Sequence, residues 1–336
     1  MNARFAFIAC FAIILTASGR ALVSSAHATE KPLTVAVSIP PQADFVQRIA
    51  GDNAQVNIFV NAGQDPHHFS ATPRQVMDLA KARAYFTTGM PFEEALISKI
   101  KDSHPDLLIV ETIDPEELKE QADSHDHEHD AHDHGDHDGH DHADHSEHHH
   151  KHESAEDKGQ PSHSNAHDHH GHHHDFDPHV WLSPPHIIQQ ASIIHDALVT
   201  LDPSNEAAYD ENLAAFTFEV TALHHELKTL LAPHKGKAFF IYHPALTHFA
   251  EAYGLEQKSI EAEGKSPTPK QLMALVQKAK ESEVKVIFTQ PQIDGSSAET
   301  VADAIGGTVV SIDPLEPDVL SNLESIAQSL SASFNN

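Results

Sequence analysis

Two Asp-Pro-His steps, one His-Pro and one Asp-Pro carry the side chains of this 336-residue chain best suited to chemistry. His67 and His68 follow Asp65-Pro66 in NAGQDPHHFSATP, and His179 closes Asp177-Pro178-His179. His243-Pro244 comes directly after the apolar run AFFIY, and Asp313-Pro314 directly after TVVSI. Each places a metal-capable group beside a proline, which stiffens its loop and lowers the cost of ordering it. Three imidazoles completed by water or a carboxylate make a tetrahedral zinc shell, with Zn–N near about 2.0–2.1 Å. The separations are too wide for a local finger, so the ligands must converge from distant parts of the chain into a cleft. His68 is an alternative to His67, since one of the pair must face away. The fourth position is open to Asp313, Glu263 or water.

A second feature points the same way. Residues 121–175, beginning QADSHDHEHDAHDHGDHDGHDHADH, hold most of the 32 histidines, interleaved with Asp and Glu. So few apolar side chains cannot offset the entropy of ordering, which predicts a disordered loop. Imidazole and carboxylate together suit borderline divalent metals, so the loop reads as a collector of metal rather than a mere linker. The net charge of −29, with His neutral, repels nucleic acid and anionic lipid and attracts cations.

The remaining histidines, His104, His186, His195, His224, His225, His234 and His248, fall on helices or loop ends and read as surface residues. His224 and His225 precede Glu226 without an i, i+4 histidine, so there is no HExxH zinc-protease motif, and no GxSxG, Walker or GxGxxG signature occurs. Glu261 and Glu263 follow a strand end, either as partners to a cleft histidine or as solvated charges. Trp181 reads as a core residue against the start of its helix.

The first 28 residues carry Arg4, an apolar run from Phe5 to Leu15 and a terminal Ala26-His27-Ala28. That pattern predicts a secretory signal peptide, with a mature, soluble chain from about Thr29. The apolar run is too short to span a bilayer. Cys10, the single cysteine, would leave with the signal, and the stretch before it is too short for lipoprotein attachment. A metal site in the exported chain must then use His, Asp or Glu.

The elements that must position these residues follow from periodicity. Strands are predicted at 33–38, 56–60, 84–89 and 107–111, with helices at 42–50, 73–81 and 91–101 between them. After the His-rich loop come a helix at 184–201 and the longest helix, from Asp202-Pro203 to about Leu231. Its apolar positions Leu213, Phe216, Val220, Leu223, Leu227 and Leu230 lie on one face, and about 28 residues make a rod of roughly 40 Å. Alternation resumes with strands at 238–242, 255–260, 284–289 and 308–312 and helices at 244–253, 269–281 and 297–305. The βα order predicts an α/β fold: a lobe over 29–201, a linking helix over 202–232 and a second lobe over 233–336. Ligands in such sheets bind beyond the carboxyl ends of strands, where His67, His243 and Asp313 stand, while His179 follows the His-rich loop.

The segments GQDPHHFSATP (63–73), DPHVWLSP (177–184), DPSNEAAYDENL (202–213) and YHPALTHFAEAYGL (242–255) resemble the metal-binding subfamily of ABC-importer solute-binding proteins, above all its periplasmic zinc-uptake members. The likeness covers the expected mature chain apart from the His-rich loop. It implies two lobes, each with a parallel four-stranded sheet flanked by helices, joined by one long rigid helix that closes little on metal binding. The family's metal histidines fall on His67, His179 and His243, and the carboxylate that some members add falls on Asp313. Manganese-binding relatives tend to place Glu where this chain has His243. The expected function is a monomeric, non-enzymatic periplasmic receptor that binds Zn²⁺ and passes it to an ABC permease. Manganese or broad-specificity reception, a secreted zinc hydrolase and a buffer in which only the His-rich loop matters are the alternatives. Because imidazole binds metal only when neutral, capture is expected to weaken as pH falls through about 6.5.

Overall fold

The computed structural model describes residues 31–102, 104–113, 177–261 and 265–335. The expected signal segment with Cys10, the His-rich loop and Glu263 lie outside the described residues. Both sheets belong to one compact unit, Pro32–Asn336.

Strands β1 (Leu33–Val37), β2 (Ala54–Ile58), β3 (Ala84–Thr87) and β4 (Leu108–Glu111) form an all-parallel sheet in the order β2-β1-β3-β4. The second sheet repeats that order as β6-β5-β7-β8, with β5 (Ala238–Ile241), β6 (Glu256–Ser259), β7 (Val286–Thr289) and β8 (Thr308–Ser311). Strands β3 and β7 are buried along their whole length, as apolar runs covered on both faces should be. Strand β2 begins two residues earlier than its apolar run suggests. Phe59 and Val60 follow it but still donate their N–H groups to Val37 and Ser38 at 3.0 Å, extending the ladder.

Proline sets most helix starts because its fixed φ suits the first turn. It opens α1 (Pro40–Ala50), α2 (Pro73–Leu79), α3 (Pro91–Ile100), α4 (Pro184–Leu201) and α7 (Pro269–Glu281). The same capping box, Thr72 with Gln75 and Thr268 with Gln271, starts α2 and α7, one in each lobe. Helix α6 spans Thr247–Tyr253 rather than starting at Pro244, because the chain turns through Ala245, whose N–H reaches the His243 carbonyl at 2.8 Å. Helix α8 (Ser296–Ile305) precedes β8.

The long helix α5 covers Glu206–Leu231 and is flanked by 3-10 turns at Pro203–Asn205 and Ala232–His234. It packs on α1 and α4 on one side and on α9 (Val319–Ser333) on the other, so it lies between the lobes. Its buried face differs from the expected stripe at the end: Leu231 is fully buried, whereas Leu230 is 37 % exposed. At 3.6 residues per turn, a four-residue step from Leu227 keeps the stripe on the core side. One apolar core runs from Val35 and Phe45 through Trp181, Phe216 and Leu227 to Phe288 and Leu330, crossing both lobes without a break, and a smaller one with Phe240, Ile287 and Val301 lies in the second lobe.

Candidate metal centre

Beyond β2 the chain reaches Asp65-Pro66-His67, which folds as a 3-10 turn with the Asp65 carboxylate accepting the His67 N–H at 2.9 Å. The Asp177-Pro178-His179 step repeats this contact, with the His179 N–H on Asp177 Oδ1 at 2.9 Å, and its 3-10 turn follows at Val180–Leu182. The two steps then diverge. Asp65 also accepts from Nδ1 of His68, whose side chain is 78 % exposed and turned away. Asp177 instead takes Nδ1 of its own His179 at 2.5 Å. Ring and backbone of His179 are therefore held by one carboxylate.

His243 stands two residues past β5. Gln290, just beyond β7, grips its backbone from both sides, accepting its N–H at 3.3 Å and donating to its carbonyl at 2.8 Å. Its Nδ1 meets Glu261 Oε1 at 2.6 Å, and Glu261, just past β6, is 9 % exposed. Carboxylates accept only, so Nδ1 of both His179 and His243 must carry the proton, leaving each Nε2 as a bare lone pair.

Those lone pairs converge. His179 Nε2 lies 3.4 Å from His67 Nε2 and 3.3 Å from His243 Nε2, and the three ligand atoms all fall within 4.8 Å of one another. A tetrahedron with Zn–N of about 2.0–2.1 Å has edges of roughly 3.3–3.4 Å. Two unprotonated nitrogens facing at that distance do not hydrogen bond; they present the edge of a cation shell. The cavity they line measures about 20 Å³, and a water needs on the order of 10–15 Å³, so its contents are atom-sized.

The charges fit a cation. Burial, and then the neighbouring His179 and His243, lower the His67 pKa from 6.5 to about 4, so this ring stays neutral well below the pH expected from an ordinary histidine. Burial opposes the charge on Asp177, but the adjacent His179 and nearby His248 outweigh it and hold the carboxyl well below the usual range. The matching place in the first lobe, beyond β1 and β3, is occupied by protein. There Glu93, only 3 % exposed, accepts from Thr88, Gly89 and Met90 N–H groups and from Ser38 Oγ, which also pairs with Tyr85.

Among the described residues, the metal-capable cluster comprises His67, His179 and His243. Asp313 is not in that cluster; its Oδ1 accepts from Gln292 Nε2 at 2.5 Å and from the Leu315 N–H at 2.9 Å. The surface reading fails for two histidines. His248 is 2 % exposed and donates Nε2–H to the Asp177 carbonyl at 2.9 Å, while His234 is buried against Ser331. Trp181 is fully buried and reaches across to the second lobe, donating Nε1–H to the Pro314 carbonyl at 2.7 Å. His248 and Trp181 thus pin the His179 segment from both ends.

The family model for the zinc-uptake complex component A, periplasmic, matches residues 35–332. The chain belongs to this ZnuA family. Family members are substrate-binding components of ABC transporters and not enzymes, which sets aside the hydrolase reading. The zinc-binding lipoprotein AdcA of Streptococcus pneumoniae is 26 % identical over 298 residues, covering 88 % of this chain and 51 % of AdcA. The chain thus spans about half the length of that relative. The manganese ABC transporter substrate-binding lipoprotein scaA of Streptococcus gordonii is 25 % identical over 309 residues, covering 89 % of this chain and 85 % of scaA. A solved structure of a ZnuA deletion mutant with zinc bound aligns with a TM-score of 0.70 at 30 % identity, covering 90 % of this chain and 98 % of that one. Among the described residues, no helix is long and apolar enough to cross a membrane.

Proposed function

We propose that this protein is a periplasmic receptor that captures Zn²⁺ at His67, His179 and His243 and hands it to an ABC permease. The observation that carries the reading is that His179 Nε2 lies at tetrahedral-edge distance, 3.4 and 3.3 Å, from Nε2 of His67 and of His243, with two Nδ1 protons committed to Asp177 and Glu261. In this reading the domain limits are 29–201, 202–232 and 233–336, the ligands come from both sides of the cleft, and the protein works as a monomer. The His-rich loop gathers zinc weakly at many places and raises its concentration near the cleft.

Manganese reception is the second reading, favoured by the likeness to scaA. A shell of three nitrogens argues against it, because the harder Mn²⁺ prefers carboxylate and other oxygen ligands. The test is a zinc titration against a competing chelator, with the mature chain, a form lacking 121–175, and His243→Ala in each. One tight zinc site that survives deletion of the loop and disappears with His243→Ala supports a cleft receptor. Loss of tight binding with the loop refutes it and leaves a histidine-based zinc store; manganese bound more tightly than zinc refutes the metal assignment.

A further inference from the structure

Past β7 the chain reads TQPQ, and its second glutamine, Gln292, lines the same small cavity as the three histidines. Its amide cannot be turned either way at will. Asp313 Oδ1 can only accept, so Nε2 must face it, as it does at 2.5 Å. The other end of the amide, Oε1, is thereby fixed away from Asp313, and it is buried with no hydrogen-bond partner among the described residues. A buried acceptor left unsatisfied costs about 1–3 kcal/mol, so such an atom calls for an explanation.

The cavity wall offers no obvious donor for it. His179 and His243 have their ring protons on carboxylates, pointing away from the cluster, and a ligating Nε2 carries none. The donor must arrive with the ion. A water bound to Zn²⁺ directs its oxygen at the metal and both protons outward, and the cation strengthens it as a donor. Asp313, for its part, is not among the clustered metal-capable groups: its Oδ1 accepts from Gln292 and from the Leu315 N–H, and its carbonyl accepts from Asn322 Nδ2 at 2.7 Å.

We infer that the fourth zinc ligand is a water held by Gln292 Oε1, and that Asp313 is a positioning residue that aims the Gln292 amide instead of entering the shell. The inference rests on the three-histidine reading above and deepens it into a basis for selectivity. Gln292 and the Leu315 N–H hold Asp313 Oδ1, while Asp65, Asp177 and Glu261 are committed to histidine N–H groups, so the ion meets three nitrogens and a neutral water, a set that favours zinc over manganese. Two lobes are needed for this arrangement, since His67 and the Gln292–Asp313 pair come from opposite sides of the cleft.

The test uses the full chain lacking only 121–175, with Zn²⁺ and Mn²⁺ affinities from chelator competition and Co²⁺ as a spectroscopic stand-in for zinc. Gln292→Leu removes both the acceptor for the water and the donor that occupies Asp313. It should weaken zinc about tenfold and narrow the zinc-over-manganese ratio by at least tenfold. In Asp313→Asn the Co²⁺ absorption bands should stay where they are, because no ligand is lost. Added azide should shift those bands in the parent, because a water can be displaced. Bands that move in Asp313→Asn, or that ignore azide in the parent, would make Asp313 a ligand and overturn the inference. So would a Gln292→Leu protein with unchanged affinity and selectivity. A zinc-loaded crystal structure of the unsubstituted chain gives a check independent of any variant's folding: a metal-bound water about 3 Å from Gln292 Oε1 is expected, and an Asp313 oxygen on the metal refutes it. Retention of tight zinc by His243→Ala in the same series would instead bring down the three-histidine reading itself.

Discussion

Replacing Glu261 tests whether the carboxylates behind the histidines make the site or merely surround it. Glu261 Oε1 takes the Nδ1 proton of His243 at 2.6 Å in a nearly dry setting, with side-chain exposures of 7 % and 13 %. That bond fixes the tautomer that leaves Nε2 free and makes it more basic, and losing such a partner costs about 10–100-fold in metal affinity. Expressed as free energy, the range is roughly 1.4–2.7 kcal/mol. Gln can still present an oxygen to Nδ1–H, so Glu261→Gln keeps the tautomer, loses the charge and should fall near the tenfold end. Ala offers nothing to Nδ1, so the ring must also choose its tautomer on binding, and Glu261→Ala should approach 100-fold. Glu261 is a cleaner probe than Asp177, because Asp177 also holds the turn through the His179 N–H. The Glu261 backbone bond to the Tyr242 carbonyl, 3.1 Å, is untouched by either change. The assay is zinc competition with a chelator on the form lacking 121–175, with denaturant unfolding of the apo proteins as a folding control. If both variants bind zinc within twofold of the parent, the orienting role is wrong.

Three further outcomes follow from particular contacts. His68→Ala should change cleft affinity less than twofold, since that side chain is 78 % exposed, whereas His67→Ala should abolish the tight site; equal losses in the same chelator titration would refute the assignment. Below pH 6.5 the unfolded chain takes up a proton on His67 that the folded apo protein refuses until about pH 4, so stability present at neutral pH is lost as pH falls through that window. The loss is at most about 3 kcal/mol, and denaturant unfolding of His67→Gln should show a pH profile flatter by that amount between pH 6.5 and 4. Trp181→Phe leaves the Pro314 carbonyl buried without its donor and should cost about 1–3 kcal/mol, read as a lower urea midpoint at unchanged m-value.

The parts of this fold that sequence reveals are those governed by local pattern. Buried parallel strands announce themselves as short apolar runs, and Pro73, Pro184 and Pro269 mark helix starts to the residue. Helix α9 is not among the expected elements, although Val319, Leu323, Ile326 and Leu330 carry a 4-3-4 spacing. Its many serines mask that signal, and only packing on α5 reveals it. In the site, His67, His179 and His243 were legible because each metal-capable ring sits by a proline beyond or between strands. Choosing His67 over His68 requires the Asp65 contacts, which depend on how the turn folds. Gln290 and Gln292 carried no comparable signal. An amide is a poor ligand on its own, and its value here comes from the backbone and carboxylate that tertiary structure brings beside it.

In the proposed zinc receptor, the unbroken core through both lobes constrains how quickly the ion can leave. Swinging the lobes widely apart would pull Trp181 off Pro314 and re-expose an indole of roughly 200 Å² to water, about 5 kcal/mol for that side chain alone. Departure by ligand exchange avoids that barrier. In that receptor an incoming donor would replace one imidazole at a time, and His67, less buried than His179, would be open to it earlier than His179. The residence time of the ion is then governed by how readily a competing ligand reaches the His67 side of the shell, and a receptor that grips tightly in isolation can still yield rapidly to a surface that brings its own ligands.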